Sequence, residues 1–225
     1  MAKKVKYSTP RSHILGKTHS IFNQFISEIR DQEIQRDRMR FRRNMERMGE
    51  IFAYEISKHL PYVNKKVTTP LGIAKVPVLK EQPVLATILR AGLPLHNGLL
   101  NYFDMAENTF VSAYRKHSKD GNFKIKIEYL SSPSLDKKIL ILSDPMLATG
   151  SSIVLSYESI IQRGQPGHTH IVSAIASTQG LEYAKKHLPP NVTLWIGTVD
   201  DELTAQSYIV PGLGDAGDLA FGEKV

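Results

Sequence analysis

"KKILILSDPMLATGSSIVLSYESIIQRG", residues 137–164, is the stretch that decides the fold. Residues 137–144, "KKILILSD", centre on the unbroken apolar run Ile139 to Leu142, the mark of a strand buried on both faces. From Gly150 onward the period changes: Ile153, Val154, Tyr157, Ile160 and Ile161 recur at helical spacing, with Gly164 placed to cap the helix end. Between strand and helix lies a short loop, "PMLATGSS". The same alternation extends in both directions. "PVLATIL" (83–89) reads as a strand and "RAGLPLHNGLLNYF" after it as a turn and helix. "TFVSAYR" (109–115) and "HTHIVSAIAST" (168–178) are strands, "QGLEYAKKHLP" a helix, and "VTLWIGTVD" (192–200) a further strand. Strands alternating with helices predict an α/β fold with a mainly parallel central sheet flanked by helices on both faces. Upstream, "SKHLPYVNKKVTTPLGIAKVPVLKEQP" reads as loop and short strands. "KHSKDGNFKIKIEYL" places Asp120-Gly121 between alternating residues, which predicts an exposed hairpin.

At 225 residues the chain suits one large domain, 1–225, with no Ser/Gly/Pro-rich linker between halves. Cysteine is absent, which excludes disulfides and thiolate metal sites and fits a reducing, cytoplasmic setting. The first residues, "MAKKVKYSTPRSH", lack the apolar core of a secretory signal, and no run approaches 18 apolar residues, so no membrane partner is expected. Charge is uneven. Residues 1–66 hold 15 Lys/Arg and 7 Asp/Glu, whereas the chain as a whole holds 29 and 22. The densest part is "RDRMRFRRNMER" (36–47). Phe41, Met45, Met48 and Phe52 recur there on one helical face, so the expected helix turns a solvated arginine face outward. An anion site or a subunit contact are the alternatives, and nucleic acid is not expected as a partner, since a basic helix alone says little about it.

The chemistry concentrates at Ile141 to Val154. Gly150 lets a ligand approach the backbone, and Thr149, Ser151 and Ser152 add hydroxyls. The helix start adds free N–H groups and a partial positive charge, an arrangement suited to phosphate. The G-x-x-x-x-G-K-[ST] pattern is absent, so this is not a P-loop. An acid, Asp144, immediately before a phosphate loop suggests a sugar phosphate whose hydroxyls it would bind. Near the C-terminus "PGLGDAGD" (211–218) reads as G-x-G-x-x-G, but the eight residues that follow Gly217 leave no room for a dinucleotide-binding unit. His168 and His170 share a strand face, yet with no cysteine or adjacent acid no transition-metal site is expected. Asp200-Asp201-Glu202 reads as a solvated strand exit.

"DPMLATGSS" (144–152) resembles the 5-phosphoribosyl-1-pyrophosphate (PRPP) loop of type I phosphoribosyltransferases, and in its Asp-Pro-Met-Leu-Ala-Thr-Gly form that of the uracil phosphoribosyltransferase family. "ILRAGLPL" (88–95) and "YIVPGLGDAGDLAFGEK" (208–224) resemble that family's second ligand loop and its base-binding C-terminus. The three motifs stand in the family's order. The resemblance implies a type I phosphoribosyltransferase fold with an N-terminal arm (1–25), a flap hairpin (116–130) and a C-terminal hood over the base (200–225). It implies PRPP contacts from Arg90, Arg115, Asp144, Pro145, Met146, Leu147, Ala148, Thr149, Gly150, Ser151, Ser152 and Asp215. Uracil contacts would come from Ile209, Gly214, Asp215 and Ala216, largely through the main chain, and catalytic roles would fall to Asp215 and Arg115. Mg²⁺ would arrive with PRPP, with no protein metal ligand. The family forms dimers or tetramers, and part of it responds to GTP, for which the 36–47 arginines offer one anion site. The expected reaction is uracil + PRPP → UMP + pyrophosphate. A phosphoribosyltransferase for another base, and a PRPP- or RNA-binding regulator with weak catalysis, stay open. This chain departs from the family at Ser151, where the pattern carries a second Gly, in the approach "VDDELTAQSYIVPG", and at Leu219-Ala220. A side chain at position 151 is acceptable only if its backbone is helical.

Overall fold

The computed structural model describes residues 9–117 and 123–223. Twelve strands lie in chain order among them: β1 (Arg11–Ile14), β2 (Tyr62–Thr69), β3 (Gly72–Leu79), β4 (Val84–Leu89), β5 (Glu107–His117), β6 (Phe123–Ser131), β7 (Ile139–Ser143), β8 (Met146–Leu147), β9 (His168–Ser177), β10 (Val192–Asp200), β11 (Glu202–Leu203) and β12 (Ile209–Val210). The helices are α1 (Ile21–Arg30), α2 (Arg38–Ser57), α3 (Leu93–Tyr102), α4 (Ser151–Ile160), α5 (Thr178–His187) and α6 (Ala216–Phe221). The central sheet runs β1-β10-β9-β7-β4-β5-β6, with the two-residue β8 also paired to β9. Every pairing is parallel except the β5–β6 edge, which is antiparallel.

Strand alternation divides the interior into two cores. From β4, β7 and β10, the side chains of Leu85, Ile141 and Trp195 enter one core with Phe22, Phe41, Met45, Met48, Phe52, Leu95 and Leu99 from α1, α2 and α3. Their neighbours Val84, Ala86, Leu140, Leu142, Leu194 and Ile196 enter the other, with Ile153, Val154, Tyr157 and Ile160 of α4 and Leu181 and Ala184 of α5. Helices therefore cover both faces, as the continuous apolar strands predict. On the first face α2 crosses α3 at Gly49 and Gly98. A Cβ on Gly98 would overlap the Glu46 carbonyl oxygen and stand 2.8 Å from Gly49 Cα, so the two backbones touch because neither carries a side chain there.

Topology fixes where a ligand can sit. After β4 the chain crosses through α3 to β5 on one side, and after β7 it crosses through α4 to β9 on the other. The carboxyl ends of the adjacent strands β4 and β7 thus flank a switch point, where open α/β sheets leave a crevice.

Several expectations need correction. The apolar face of the basic helix is not a subunit contact: Phe41, Met45, Met48 and Phe52 are all buried in the core. Its arginines do not form a merely solvated face. Arg40 forks onto Glu28 at 3.0 Å, Arg42 donates to the Ala220 carbonyl at 2.7 Å, Arg43 pairs with Glu46 at 2.8 Å, and Arg47 lies over the Phe25 ring. Residues 62–79 are not short strands but a regular two-stranded ribbon, β2–β3, that joins no other sheet. All of β2 is exposed, and so are Leu71, Ile73 and Val76. Asp200 is not solvated; it is buried at the end of β10. The N-terminal arm contributes β1, which extends the sheet beside β10. The predicted hairpin of 116–130 is present as the β5–β6 ladder, while its Asp120-Gly121 tip lies outside the described residues.

His168 and His170 belong to a larger cluster around the single tryptophan. Trp195 Nε1 donates to His170 Nδ1 at 3.0 Å, His13 stacks on the indole at 4.3 Å, and His59 meets it edge-on at 5.2 Å. Burial, with His168, His59 and His13 nearby, pushes the His170 imidazole down to about 3.

Candidate active site

A cleft of about 810 Å³ opens at the switch point. One wall is the loop between β7 and α4. Asp144 follows the end of β7, with its N–H bonded to the Val172 carbonyl at 3.0 Å, and its carboxylate lines the cleft. Gly150 caps α4 with φ +79°, a left-handed turn that aims the first turn of the helix into the cavity. Gly150, Ser152 and Ile153 line the cleft, so the N–H groups and dipole of a ten-residue helix face it. Ser151 opens α4 in helical backbone, which meets the condition for a side chain at that position. Its hydroxyl bonds the Thr149 hydroxyl at 2.7 Å.

The loop rests on a support that its own sequence does not reveal. Ser177 Oγ donates to the Ala148 carbonyl at 2.6 Å and accepts from Gly180 N–H at 2.8 Å, so the start of α5 buttresses it. Gly180 is required there, because a Cβ would collide with the carbonyl oxygens of Leu147 and Ala148.

The opposite wall is the segment 206–217. Gln206, Ser207, Tyr208, Ile209, Gly214, Asp215, Ala216 and Gly217 all line the cleft. Gly214 has φ +94° and a Cβ there would meet only open space, so no side chain stands between its main chain and the cavity. Asp215 caps α6: its Oδ1 accepts from Gly217 N–H at 2.8 Å and Asp218 N–H at 3.0 Å. Arg90, directly after β4, closes a third side. Its guanidinium donates to Asp218 at 2.9 Å and to the Gly222 carbonyl at 2.6 Å, tying the β4 end to α6. The peptide between Leu89 and Arg90 is cis.

Set against the residues expected from sequence, the cleft gathers Arg90, Asp144, Met146, Leu147, Ala148, Thr149, Gly150, Ser152 and Asp215 from the phosphate side. It gathers Ile209, Gly214, Asp215 and Ala216 from the base side. Two members of the loop do not line it. Pro145 is buried with its carbonyl bonded to Ile175 N–H at 3.0 Å, because the loop briefly joins the sheet as β8, and the Ser151 hydroxyl turns to Thr149. Arg115 pairs with Ile125 in the β5–β6 ladder, and its side chain lies outside the described residues. Sequence reasoning missed Ser177, Arg30 and Asp200. The bonds that matter join distant residues: Ser177 reaches Ala148 across 29 positions, and Arg30 reaches Asp200 across 170.

As for a metal, the donors on the cleft walls are the carboxylates of Asp144 and Asp215 and the hydroxyls of Thr149 and Ser152. Hard oxygen donors without imidazole or thiolate suit Mg²⁺ that draws its other ligands from water and phosphate.

The comparisons agree with one another. The family profile described as "Uracil phosphoribosyltransferase" matches residues 16–223. A uracil phosphoribosyltransferase from Porphyromonas gingivalis is 57% identical over 211 residues, 94% of this chain and 98% of that protein. One from Pyrococcus furiosus is 35% identical over 205 residues, 90% of this chain and 86% of the other. A solved structure of a protein from Aquifex aeolicus superposes with TM-score 0.84 at 28% identity, covering 95% of this chain and 99% of that one. With the β7–α4 loop and a glycine-turned C-terminal wall facing one cleft, the chain belongs to the uracil phosphoribosyltransferase family.

Proposed function

We propose that this chain transfers the phosphoribosyl group of PRPP to N1 of uracil, giving UMP and pyrophosphate. The observation that carries this reading is the pairing of two unlike walls across one cavity, a helix N-terminus led by Gly150 and a main-chain wall at Gly214 to Ala216. A helix start with flanking hydroxyls suits the 5-phosphate of the sugar. Exposed amides and carbonyls can match the alternating donors and acceptors on the edge of a pyrimidine, and glycine lets them approach a flat ring.

In the reaction the C1–oxygen bond to pyrophosphate breaks and the C1–N1 bond forms, through an oxocarbenium-like state. The protein's part is to hold the base in line with C1, to keep water out and to balance charge on the leaving group. Asp144 would bind the ribose hydroxyls at the end of β7, and Arg90 would meet the pyrophosphate by exchanging its bonds to Asp218 and Gly222. Asp215, anchored as the α6 cap, would receive the N1 proton directly or through an ordered water. Arg115, toward the outer end of the β5–β6 ladder, would add a second cation as the flap closes. Mg²⁺ held by PRPP and water, without a direct protein ligand, would supply positive charge at the pyrophosphate, and the Asp144 carboxylate on the cleft wall would accept from its waters.

Two finer readings accompany this one. The chain would form a dimer or tetramer, supported by the β2–β3 ribbon: Val63, Val67, Ile73 and Val76 are exposed on a lone hairpin of a kind that is marginally stable in water. A GTP effector would have to use Arg36 or other guanidinium groups outside the internal contacts of α2. Absence of cysteine supports a reducing, cytoplasmic setting, and no helix among the described residues is long and apolar enough to cross a membrane.

The deciding experiment incubates purified protein with PRPP, Mg²⁺ and a panel of bases. UMP from uracil as the dominant product is expected. Preferential turnover of a purine or of orotate would overturn the base assignment, and no turnover of any base would overturn the reaction.

A further inference from the structure

The turn that leads into the base-side wall is held by residues from the far end of the chain. Asp200, at the carboxyl end of β10, has a side chain only 7% exposed and takes both nitrogens of Arg30 from the end of α1. The pair is bidentate, Nη1 to Oδ2 at 2.9 Å and Nη2 to Oδ1 at 2.7 Å. Both partners also grip one residue of the turn, through the two peptide groups that flank it. Asp200 Oδ2 accepts from Gly212 N–H at 2.9 Å, and Arg30 Nη1 donates to the Gly212 carbonyl at 3.2 Å. The next peptide is held from the same side: the Gln35 amide nitrogen, oriented toward its acceptors, donates to the Leu213 carbonyl at 2.9 Å and the Ile29 carbonyl at 3.0 Å. Leu213 is buried in the core beneath.

These bonds do more than bury a charge pair. A surface ion pair can form in many geometries and contributes little. Here a planar fork, a carboxylate and both backbone polar groups of Gly212, one in each flanking peptide, fix each other's orientation, and charge-assisted bonds of this kind are the strong ones. The fixed residue lies two positions before Gly214 and three after Ile209, both on the cleft wall. A wall that reads its ligand through main-chain groups has no side-chain rotamer with which to correct an error, so its accuracy depends on how firmly the backbone is set.

We propose that Arg30 and Asp200 are positioning residues for the base: they hold Gly212 so that the backbone of residues 214–216 meets a planar pyrimidine edge in register. Neither touches substrate. This rests on the uracil phosphoribosyltransferase reading, and the test separates the two. The initial measurement is two-substrate kinetics of the unaltered chain with uracil and PRPP; absence of turnover would remove the functional reading itself. Given turnover, Asp200→Asn and Arg30→Gln are expected to raise KM for uracil at least tenfold while KM for PRPP stays within twofold, because the phosphate wall on β7 and α4 has no bond to this pair. Arg30→Lys, which keeps the charge without the fork, should recover thermal stability more fully than it recovers uracil KM. Equal rises in both KM values, or lost stability with both KM values unchanged, would mark the pair as purely structural and overturn the proposal. Removing one member of a buried ion pair can prevent folding. Gln35→Ala then carries the test, since it removes only the Leu213 and Ile29 bonds. A severalfold rise in uracil KM alone is expected, and an unchanged value overturns the proposal.

Discussion

Replacing His170 with Gln should remove one proton from the acid unfolding of this chain. The indole N–H of Trp195 can only donate, and it is aimed at His170 Nδ1, so that nitrogen has to remain an unprotonated acceptor in the folded state. Burial acts in the same sense, and so does the proximity of His168, His59 and His13; the folded imidazole is held at about 3. An unfolded imidazole titrates near 6.5. The folded value lies below the unfolded one, so the stabilisation is complete above pH 6.5 and is lost as pH falls from there toward 3. Within that window one proton costs about 1.4 kcal/mol per pH unit, so His170 alone removes roughly 2 kcal/mol between pH 6.5 and 4.5. That is a large part of the roughly 5–15 kcal/mol by which domains are stable. Gln offers the indole an acceptor oxygen and does not titrate. The assay is denaturant unfolding in half-unit steps from pH 7.5 to 4.5 at fixed protomer concentration, followed by emission of Trp195, the only tryptophan in the chain. His13, His168 and His96, each also lowered first by burial, leave the variant with some pH dependence. Its slope should nonetheless be about 1.4 kcal/mol per pH unit shallower than that of the parent. Parallel slopes for parent and variant would refute the reasoning.

Three further outcomes are expected. Gly98→Ala should force α2 from α3 at the Glu46 carbonyl, costing about 1–3 kcal/mol and lowering Tm by roughly 2–4 °C per kcal/mol, read by thermal unfolding. Gly150→Ala, which meets the Gly180 carbonyl oxygen at 2.8 Å from a φ of +79°, should raise KM for PRPP about tenfold, a loss of about 1.4 kcal/mol, and disturb uracil KM far less; steady-state kinetics decide it. Asp215→Asn keeps a residue able to cap α6, so folding should persist, while kcat falls about 10²-fold if the carboxylate manages the N1 proton; near-normal turnover with intact binding would eliminate that role.

The parts of the structure that were legible in the sequence are those whose signal is local. Ile139 to Leu142 followed by a glycine and a helical period defines β7, its loop and α4 without reference to anything distant. The β2–β3 ribbon escaped because periodicity reports burial: all of β2 is exposed, Pro77 within β3 reads as a strand breaker, and no buried face imposes a pattern. The arginines of α2 were misjudged for a related reason, since sequence gives their charge but not that the Ala220 carbonyl and Glu28 wait opposite. Arg30 and Asp200 stand 170 residues apart and each resembles an ordinary terminal charge of its element; only the fold joins them. Ser177 likewise reads as a helix cap, which it is, and the bond from its hydroxyl to Ala148 appears only in three dimensions.

The wall built on Gly214 has an evolutionary corollary. Where recognition is written in amides and carbonyls, most point substitutions leave its vocabulary unaltered, because every residue type except proline offers the same two groups. Selection for a different nucleobase would have to act on the length or path of residues 209–217, through insertion, deletion or loss of a glycine, rather than by exchanging one contacting side chain for another. Lineages challenged with toxic pyrimidine analogues should accordingly escape by losing this activity outright more readily than by refining its discrimination.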